Sequence, residues 1–402
     1  MSEKTFTVAY TQRVLFTRGV FEAKNLLLCD LLKNAHERNR PTRALVFVDS
    51  HVAQAFPDLL HDIQSYANAH QEAFELAGPP VVVTGGETCK NDFSLVEQCW
   101  DVINSVSLDR HSLVFAIGGG AILDLVCFAA STAHRGIRHV RFPTTTLSQG
   151  DGGVGVKNGI NFFGKKNWVG SFSVPYAVVN DFAFLDTLSV REKRCGLIEA
   201  IKVAMIRDAE FYHWLADHRH DLAALKSEAV EYAVRRSAEL HVEHIATSGD
   251  PFEMGSARPL DYGHWVAHKL EQVSRFEIAH GEAVAVGIAV DLLYSASAGI
   301  IDSAVAYQVI ELIEDVGFEV FSPHLESHAA GGELVILAGL EEFREHLGGE
   351  LTITLVPEIG RKIEVHEMHR NLILAAVEAL SERHQRKSHA PAPEEFLMDV
   401  QA

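Results

Sequence analysis

The sequence predicts two domains, an α/β domain with a parallel, Rossmann-like sheet followed by a mostly α-helical domain. At 402 residues the chain is longer than one ordinary hydrophobic core requires. In the first half, short β-branched runs alternate with longer segments of helical spacing, which is typical of a parallel sheet covered by helices. From about residue 191 helical periodicity dominates. We therefore expect domains over 1–190 and 191–381, and a polar, proline-bearing and mobile tail over 382–402.

Five short runs account for the predicted sheet. Most are followed directly by a glycine, a proline or an aspartate, which favours the end of a strand. The runs span residues 44–48, 81–84, 113–117, 139–142 and 177–179. Ahead of the last of them, the glycine-rich segment 151–180 is predicted to form a long functional loop that leads into a strand.

The second half is predicted to be helical with one late strand. Apolar residues recur there at helical spacing, with few β-branched runs between them. The predicted helices span 191–217, 224–246, 262–273, 281–298 and 302–316, and the strand spans 351–355.

The charge balance limits the classes of partner. Against 35 basic residues the chain has 54 acidic ones, which gives a net charge of −19. Such a surface repels the backbones of nucleic acids and anionic lipid surfaces, so we expect neither as a partner. A small anionic substrate is still compatible, because a few lysines and arginines can dominate the potential inside a cleft.

Cysteine usage and the N-terminus predict a cytoplasmic protein. The five cysteines are odd in number, scattered and free of CxxC pairs, which is typical of a reducing compartment and argues against a cysteine-based zinc module. The first residues, MSEKTFTVAYTQRV, lack the apolar stretch of a secretory signal. No apolar run reaches the roughly 18 residues that a membrane span needs.

Two glycine turns follow predicted strands. Ile117 is followed by Gly118, Gly119 and Gly120. A second turn, Gly85-Gly86, is followed by the segment Glu87–Lys90, which is mostly polar. Glycines let the backbone approach a pyrophosphate, and a helix N-terminus supplies N–H groups for it. The spacing is not GxGxxG, so each motif alone is equally compatible with an ordinary tight turn.

A group of histidines and one glutamate form the next candidate site. His264 and His268 lie four residues apart on one predicted helical face, and His280 begins an apolar helix. Glu199 and Lys202 interrupt another apolar helix, where they form either a surface salt bridge or a functional pair. Two histidines and a glutamate are a common catalytic zinc set. With 22 histidines in the chain, spacing alone leaves core histidines as the alternative.

The segment 151–167 carries charged residues among five glycines. It is compatible with a solvated flexible loop, or with a loop whose lysines and backbone N–H groups hold a phosphate or the nicotinamide ribose. The polar side chains concerned are Asp151, Lys157, Lys165, Lys166 and Asn167.

Ten motifs in order resemble dehydroquinate synthase and the wider sugar phosphate cyclase family. Between about residues 40 and 355 the chain contains GGETCK, IGGGAILD, HRG, FPTTTLSQGD, GVGVKNGIN, GKKN, FLDTL, GLIEAIK, YGHWVAH and HGEAVAVG. The resemblance implies a homodimeric carbon–oxygen lyase that holds NAD and zinc, with cobalt as an alternative metal. Such enzymes oxidise an alcohol of a sugar phosphate, eliminate phosphate, return the hydride and close a ring by an intramolecular aldol step.

The resemblance also implies roles for individual residues. Zinc is expected on Glu199, His264 and His280. The dinucleotide is expected on Asp49, Glu87, Lys90, Gly119, Gly120, Asp124, Thr144, Thr145, Asp151, Lys166, Phe184 and Thr187. The substrate is expected to face Lys157, Asn167, Lys202, Asp261 and His268, with Arg135 contributed across a dimer interface to bind phosphate. His268 is a suitable proton shuttle, because a histidine titrates near neutrality.

Departures from the family pattern bear on the substrate. Where dehydroquinate synthase has an arginine for the substrate carboxylate, this chain has Ala257, with Arg258 beside it. A lysine of the same enzyme corresponds to Glu243, and an asparagine corresponds to Asp261. A pocket that loses cations and gains acids should reject a keto acid, since an uncompensated ion contact costs a few kcal/mol. The sequence therefore predicts a substrate without a carboxylate, such as sedoheptulose 7-phosphate, and a role in secondary metabolism.

In two groups of relatives the substrate has no such carboxylate. The chain shares FTR, GVGVK and REHLGGELTITL with epi-valiolone synthases, and it shares VKNGIN, GKKN, NDFAFL and GHWxAHKLEQ with the dehydroquinate-synthase-like protein of the bacterial ebo operon. A phosphate contact from Arg344 or His346 is a further expectation. The alternative functions are dehydroquinate synthase itself, a metal-dependent polyol or glycerol dehydrogenase of the same fold, and a non-catalytic NAD-binding scaffold.

Overall fold

The computed structural model of the chain describes residues 2–33, 35, 41–253, 259–346 and 349–389. The chain forms two compact units, residues 1–255 and 256–402. The first contains the sheet and the helices up to residue 247, and the second is mostly helical. The predicted fold class, an α/β part with a parallel sheet followed by a mostly helical part, is confirmed.

The first unit is built on a parallel seven-stranded sheet. Its order is β1-β9-β6-β5-β2-β3, and β4 pairs with the end of β2 beyond the residues that pair with β3. All five strands predicted in the first half are present in it, and β1 and β3 are additional. The strands are β1 (Val14–Thr17), β2 (Thr42–Asp49), β3 (Phe74–Leu76), β4 (Val81–Val83), β5 (Leu113–Gly118), β6 (Arg138–Pro143) and β9 (Ala177–Asp181).

Both faces of the sheet are covered, which explains the apolar runs. In β2, Val46 and Val48 pack into the core on one face, and Leu45 and Phe47 pack into the core on the other. Neither face of such a strand meets water, so its sequence is continuously apolar rather than alternating. The helices between the strands are α1 (Leu27–Lys33), α2 (Ser50–Ala55), α3 (Leu59–Ala69), α4 (Phe93–Ser105) and α5 (Gly120–Thr132).

The segment 151–180 differs from the predicted long loop. Most of it is a β-hairpin of β7 (Lys157–Phe162) and β8 (Lys165–Phe172), which pair antiparallel. The turn residues Phe163 and Gly164 both have positive φ, 51° and 71°, as in the hairpin turns whose twist matches that of the strands. The loop prediction was wrong because the frequent glycines concealed the pairing of two strands with mixed polarity.

Five helices complete the first unit. The predicted continuous helix over 191–217 is three helices, separated at Gly196 and Asp208. Asp208 ends one helix and accepts a hydrogen bond from the Phe211 N–H at the start of the next. The helices are α6 (Val190–Cys195), α7 (Leu197–Arg207), α8 (Ala209–Asp217), α9 (Arg219–Ala223) and α10 (Ser227–Thr247).

The second unit is centred on α12, which is buried along most of its length. Helix α11 crosses it so closely that a Cβ at Gly287 would lie 2.0 Å from the Gly263 carbonyl oxygen. Gly263 has a φ of +77°, so it provides both the close approach and the left-handed turn before α11. The elements are α11 (His264–Val273), α12 (His280–Ser297), α13 (Ser303–Asp315), α14 (Ala338–His346), β10 (Ile353–Glu358), β11 (Arg361–Val365) and α15 (Arg370–Ser388).

Some predictions concern the ends of the described residues. Helix α15 continues to Ser388, so the first part of the segment predicted to be a mobile tail is helical. Ala257, Arg258 and residues 390–402 lie outside the described residues. Two further sequence observations can be compared with the structure. The five cysteines, all of them described, form no disulfide. Among the described helices, none combines the length and the apolar composition of a membrane span.

Candidate functional site

The two glycine turns lie at the carboxyl edge of the sheet. A Cβ at Gly118 would lie 2.8 Å from Ile122, and one at Gly85 would lie 2.0 Å from an Asp49 carboxylate oxygen, so both positions need glycine. In contrast, a Cβ at Gly120 would meet no atom within 4 Å. The N-terminus of α5 therefore faces open space, with the N–H groups and the positive potential that bind a pyrophosphate.

A buried lysine organises the polar groups beside this turn. The Lys90 ammonium donates to the Asp124 carboxylate at 2.6 Å and to the side-chain oxygen of Asn167. Burial lowers the pKa of Lys90, but the charges of Asp124 and Glu87 outweigh it and the net shift is upward. Lys90 therefore stays protonated, and it joins the sheet edge to the hairpin.

The other predicted dinucleotide residues occupy several environments within the first unit. The Lys166 ammonium lies 3.8 Å from the Glu87 carboxylate. The Thr144 N–H donates to the Gly118 carbonyl at 3.0 Å, which fixes the chain leaving β6 beside the glycine turn. Phe184 is buried in the core, and Thr187 is exposed.

A second polar group lies where α7 and α10 contact the turn Ser148–Gly152. The Lys202 ammonium pairs with the Glu199 carboxylate and lies 3.6 Å from the Asp151 carboxylate. His241 places its Nδ1 2.6 Å from the other Asp151 oxygen. Glu199 and Lys202 are only 1% and 2% exposed, so the alternative of a surface salt bridge is wrong. Burial of this charged network is costly, which indicates a functional reason for it.

A buried arginine fixes the strap over residues 153–158 that leads from Asp151 to the hairpin. Arg141, in the middle of β6, donates to the carbonyls of Gly153 at 3.0 Å, Gly155 at 2.8 Å and Lys157 at 2.9 Å. A fourth bond, of 2.6 Å, reaches the side-chain oxygen of Asn158. The Lys157 side chain, which is 57% exposed, pairs with Glu253. Arg141 thus holds the backbone of one predicted site residue, Lys157, in the segment that directly follows Asp151.

Three histidine rings converge in the second unit. The ring centroids of His264 and His268 are 5.5 Å apart, and those of His264 and His280 are 5.3 Å apart. His268 and His280 are separated by 6.2 Å. His264 is buried, whereas His268 and His280 are partly exposed. The crossing of α11 and α12 therefore groups the histidines that the sequence singled out.

A hydrogen bond orients one of these rings, and a contact with a carboxylate orients a second. Nδ1 of His264 lies 3.0 Å from the Tyr262 carbonyl oxygen, which can only accept, so this nitrogen carries the proton. Nδ1 of His280 lies 3.4 Å from the carboxylate of the buried Glu271. Both arrangements leave Nε2 as the acceptor nitrogen of a neutral ring, which is how metal-binding histidines are usually oriented.

A buried carboxylate holds the turn that carries His264. Asp291, in the middle of α12, has no exposed surface and accepts from the Gly263 N–H at 3.0 Å and from the Trp265 indole N–H at 2.9 Å. Burial raises the pKa of Asp291 to about 7, although both hydrogen bonds oppose the shift. The residues on both sides of His264 are thus fixed to α12.

Four residues of these groups were missed in the sequence. Arg141 and Asp291 had a detectable signal, since each interrupts an apolar strand or helix. His241 and Glu271 lie in ordinary amphipathic helices, so only the fold reveals their contacts.

Most of the remaining predicted residues are exposed or partly exposed to solvent. Arg135 is exposed in a short turn, and Asp261 is partly exposed just before α11. Glu243 is half-exposed near Arg207. Arg344 pairs with Glu341 at 2.6 Å, and the side chain of His346 lies outside the described residues.

Solved structures first define the class of protein by its fold. A 2-epi-5-epi-valiolone synthase from Streptomyces hygroscopicus, solved with NAD+ and Zn2+ bound, matches with a TM-score of 0.83 and 26% identity, over 95% of this chain and 100% of that one. A 2-deoxy-scyllo-inosose synthase, solved with carbaglucose-6-phosphate, NAD+ and Co2+, shares the fold with a TM-score of 0.69 at 20% identity, over 91% of this chain and 96% of that one.

Sequence comparisons then define the family. The 3-dehydroquinate synthase N-terminal model matches residues 80–195, and the C-terminal model matches residues 196–331. The 2-epi-5-epi-valiolone synthase of Streptomyces glaucescens is 32% identical over 92% of this chain and 91% of its own length. The 3-dehydroquinate synthase of Pyrobaculum islandicum is 35% identical over 73% of this chain and 84% of its own length. The chain belongs to the 3-dehydroquinate synthase family, and the predicted resemblance is confirmed.

Proposed function

We propose that the protein is an NAD- and zinc-dependent sugar phosphate cyclase, a carbon–oxygen lyase that acts on a sugar phosphate without a carboxylate. Sedoheptulose 7-phosphate is the candidate substrate. Family membership and the 32% identity to a 2-epi-5-epi-valiolone synthase over nearly the whole chain support the reaction class. The observation that carries the proposal is the pair of oriented imidazoles, His264 and His280, which presents the nitrogens of a metal site.

The metal site is proposed from its donor chemistry. His264 and His280 offer Nε2, and Glu199 of the first unit offers a carboxylate at 1% exposure in a mostly apolar helix. Two imidazoles and one carboxylate, with a position left for substrate, suit catalytic zinc. The same donors accept cobalt. Bound zinc would act as a Lewis acid toward the substrate oxygens.

The NAD site is proposed at the carboxyl edge of the sheet. The N-terminus of α5, with Gly119 and Gly120, suits the pyrophosphate because a Cβ at Gly120 would meet no atom within 4 Å. Asp49, Lys90 and Asp124 form the polar wall beside it. Bound NAD would accept a hydride from the substrate alcohol and return it within the same turnover.

The remaining polar residues are proposed to bind the substrate and move its protons. Lys202, fixed by Glu199 and Asp151, presents a cation to the substrate hydroxyls. His268, partly exposed beside His264, exchanges a proton between substrate and solvent. The exposed cations of Lys157 and Arg135 suit the phosphate.

The substrate class is proposed from charge. Asp261 and Glu243 are acids where dehydroquinate synthase has neutral or basic residues, and they disfavour a second anion. Homodimer formation is part of the same proposal, because Arg135 is expected to serve the site of a partner subunit.

A phosphate-release assay tests this proposal. The full chain is loaded with zinc and NAD and given sedoheptulose 7-phosphate or, in parallel, the seven-carbon keto acid phosphate that dehydroquinate synthase uses. We expect inorganic phosphate from the first substrate, at least tenfold faster than from the second, because Ala257 and Glu243 stand where dehydroquinate synthase has two cations. Glu199→Gln, which keeps the shape of the side chain and removes its charge, is the inactive control.

Other outcomes identify the alternatives. Phosphate release from the keto acid alone would make the protein a 3-dehydroquinate synthase. Accumulation of NADH from polyols without phosphate release would make it a dehydrogenase of the same fold. Cellular function that survives Glu199→Gln in a folded protein would favour the non-catalytic scaffold.

A further inference from the structure

A second cluster of metal-binding side chains lies in the first unit, on elements that the proposed active site does not use. It consists of Cys29 in α1, His70 directly after α3, and Glu72 before β3. The Glu72 Oε1 atom lies 3.6 Å from the Cys29 sulfur and 3.9 Å from Nδ1 of His70. The three donor atoms all lie within 4.8 Å of one another.

We propose that Cys29, His70 and Glu72 bind a divalent transition-metal ion of the zinc class, with water as the fourth ligand. Zinc bonds of about 2.0–2.3 Å in a tetrahedron place neighbouring donor atoms about 3.5 Å apart. The distances from the Glu72 Oε1 atom to the Cys29 sulfur and to His70 Nδ1, 3.6 and 3.9 Å, are close to that value. A sulfur, an imidazole and a carboxylate together select zinc or cobalt over calcium or magnesium.

The imidazole of His70 is oriented for this role. Its Nε2 lies 3.1 Å from the Ala23 carbonyl oxygen, which can only accept, so Nε2 carries the proton and Nδ1 keeps a lone pair for an ion on the side of Glu72. The ring also packs against Tyr66, with centroids 4.5 Å apart. A backbone carbonyl that fixes the tautomer is a frequent partner of metal-binding histidines.

Tyr66 also fixes the cysteine. Its hydroxyl accepts the Cys29 N–H at 3.1 Å and donates to the Asn25 carbonyl at 2.8 Å. Because Tyr66 contacts both Cys29 and His70, two of the three ligands are positioned before an ion arrives. Such preorganisation lowers the ordering cost of binding.

Burial leaves one side of the cluster open. Cys29 is 1% exposed and His70 is 8% exposed, whereas the Glu72 side chain is 57% exposed. An ion can therefore enter beside Glu72, and a water molecule can complete its coordination from the same side.

Lys33 is the competitor for this position. Its ammonium lies 3.5 Å from the Glu72 Oε1 atom, and its side chain is 46% exposed. A cation already occupies the neighbourhood that the ion would use, and the flexible lysine stem can move into solvent when the ion binds. Removal of the lysine charge should therefore strengthen metal binding.

Binding releases a proton. The Cys29 thiol loses its hydrogen to solvent as the sulfur–metal bond forms, and the ion gives up water ligands in exchange.

Cobalt is the probe for the experiment, because a thiolate bound to Co2+ gives a near-ultraviolet charge-transfer band. The proposed catalytic donors, Glu199, His264 and His280, contain no sulfur and give no such band. The full-length protein is stripped of metal and titrated with Co2+. We expect two ions per chain and the charge-transfer band. Cys29→Ala should bind one ion without the band.

Matched variants separate the ligands from the surroundings. Cys99→Ala, which changes another buried cysteine, should keep the band. Glu72→Gln leaves the core untouched and should weaken the band-forming site about tenfold. Lys33→Gln should tighten that site by a similar factor. Glu199→Gln should keep the band and lose the other ion, so metal binding at each site can be removed without loss of the other.

The opposite results overturn the proposal. A wild-type protein that binds cobalt without the band excludes a sulfur ligand. A band that persists in Cys29→Ala shows that the sulfur ligand is another residue. A band-forming site that Glu72→Gln does not weaken shows that Glu72 is not a ligand. Because Glu72 is exposed, its variant remains informative even if Cys29→Ala does not fold.

Discussion

Asp291 shows how one side chain can connect packing to the proposed chemistry. It interrupts the apolar helix α12, and its two acceptor atoms bind the backbone and the indole on either side of His264. A carboxylate with no exposed surface is costly. We infer that Asp291 is buried despite this cost because it fixes the position of His264, which follows a left-handed glycine, Gly263.

The raised pKa of Asp291 predicts a pH dependence of stability. Burial raises it from 3.8 to about 7, so between these values the folded protein binds a proton that the unfolded chain has lost. The free energy of unfolding should therefore fall as the pH rises through this window and level off above it. Relative to Asp291→Asn, which does not titrate, wild type should lose about 2.5 kcal/mol between about pH 5 and pH 8.

Denaturant unfolding in the presence of a chelator measures this difference. Asp302→Asn, which changes an exposed helix cap, is the control and should give a curve parallel to wild type. If Asp291→Asn also runs parallel to wild type, the carboxyl is not held in its neutral form by burial.

At the level of elements, the strap over residues 153–158 depends on Arg141. This arginine donates four hydrogen bonds inside the first unit, three of them to backbone carbonyls. Arg141→Met should leave those oxygens buried without their donors and should lower the free energy of unfolding by about 4 kcal/mol.

Arg43 provides the matched control. It also donates to two backbone carbonyls, those of Ser107 and Val106, but its side chain is 29% exposed and water can replace it. Arg43→Met should cost less than about 1 kcal/mol. Equal losses in the two variants, measured by chemical denaturation, would show that the strap does not depend on Arg141.

Several elements could be predicted from sequence and others could not. The runs 44–48 and 113–117 identified β2 and β5, since strands buried on both faces are continuously apolar. The hairpin β7–β8 was missed because its strands contain glycines and mix polar with apolar residues, and β8 is largely exposed or partly exposed. Helix α15 extends beyond the predicted limit because its last turns are polar and exposed, which resembles a tail in sequence.

The same distinction applies to the candidate site. His264, His268 and His280 were singled out by spacing and family resemblance, and α11 and α12 do bring their rings together. The contact between Asp151 and His241 joins residues 90 positions apart, and no local pattern encodes it. Long-range partners of this kind follow only from the fold.

At the scale of the whole molecule, the proposed homodimer makes a testable prediction. Arg135 is exposed, and its expected partner is the substrate phosphate in the other subunit. Arg135→Ala and Glu199→Gln should each be inactive alone. Mixed subunits should regain about one quarter of wild-type activity, because half of the dimers are mixed and each has one intact site.

Mixing the two variants after reversible dissociation, followed by a phosphate-release assay, provides the measurement. Two Glu199→Gln preparations with different affinity tags, mixed in the same way, are the control and should stay inactive. No recovery in dimers shown by their tags to be mixed would place Arg135 in the site of its own subunit.

The central claim is that NAD is recycled within each turnover while phosphate leaves the substrate. The most direct measurement is the ratio of phosphate released to NAD supplied, with sedoheptulose 7-phosphate in large excess over a limiting amount of NAD. The proposal predicts many phosphates per NAD and no accumulated NADH. Phosphate release that stops at one per NAD, or NADH that accumulates without phosphate, would contradict it.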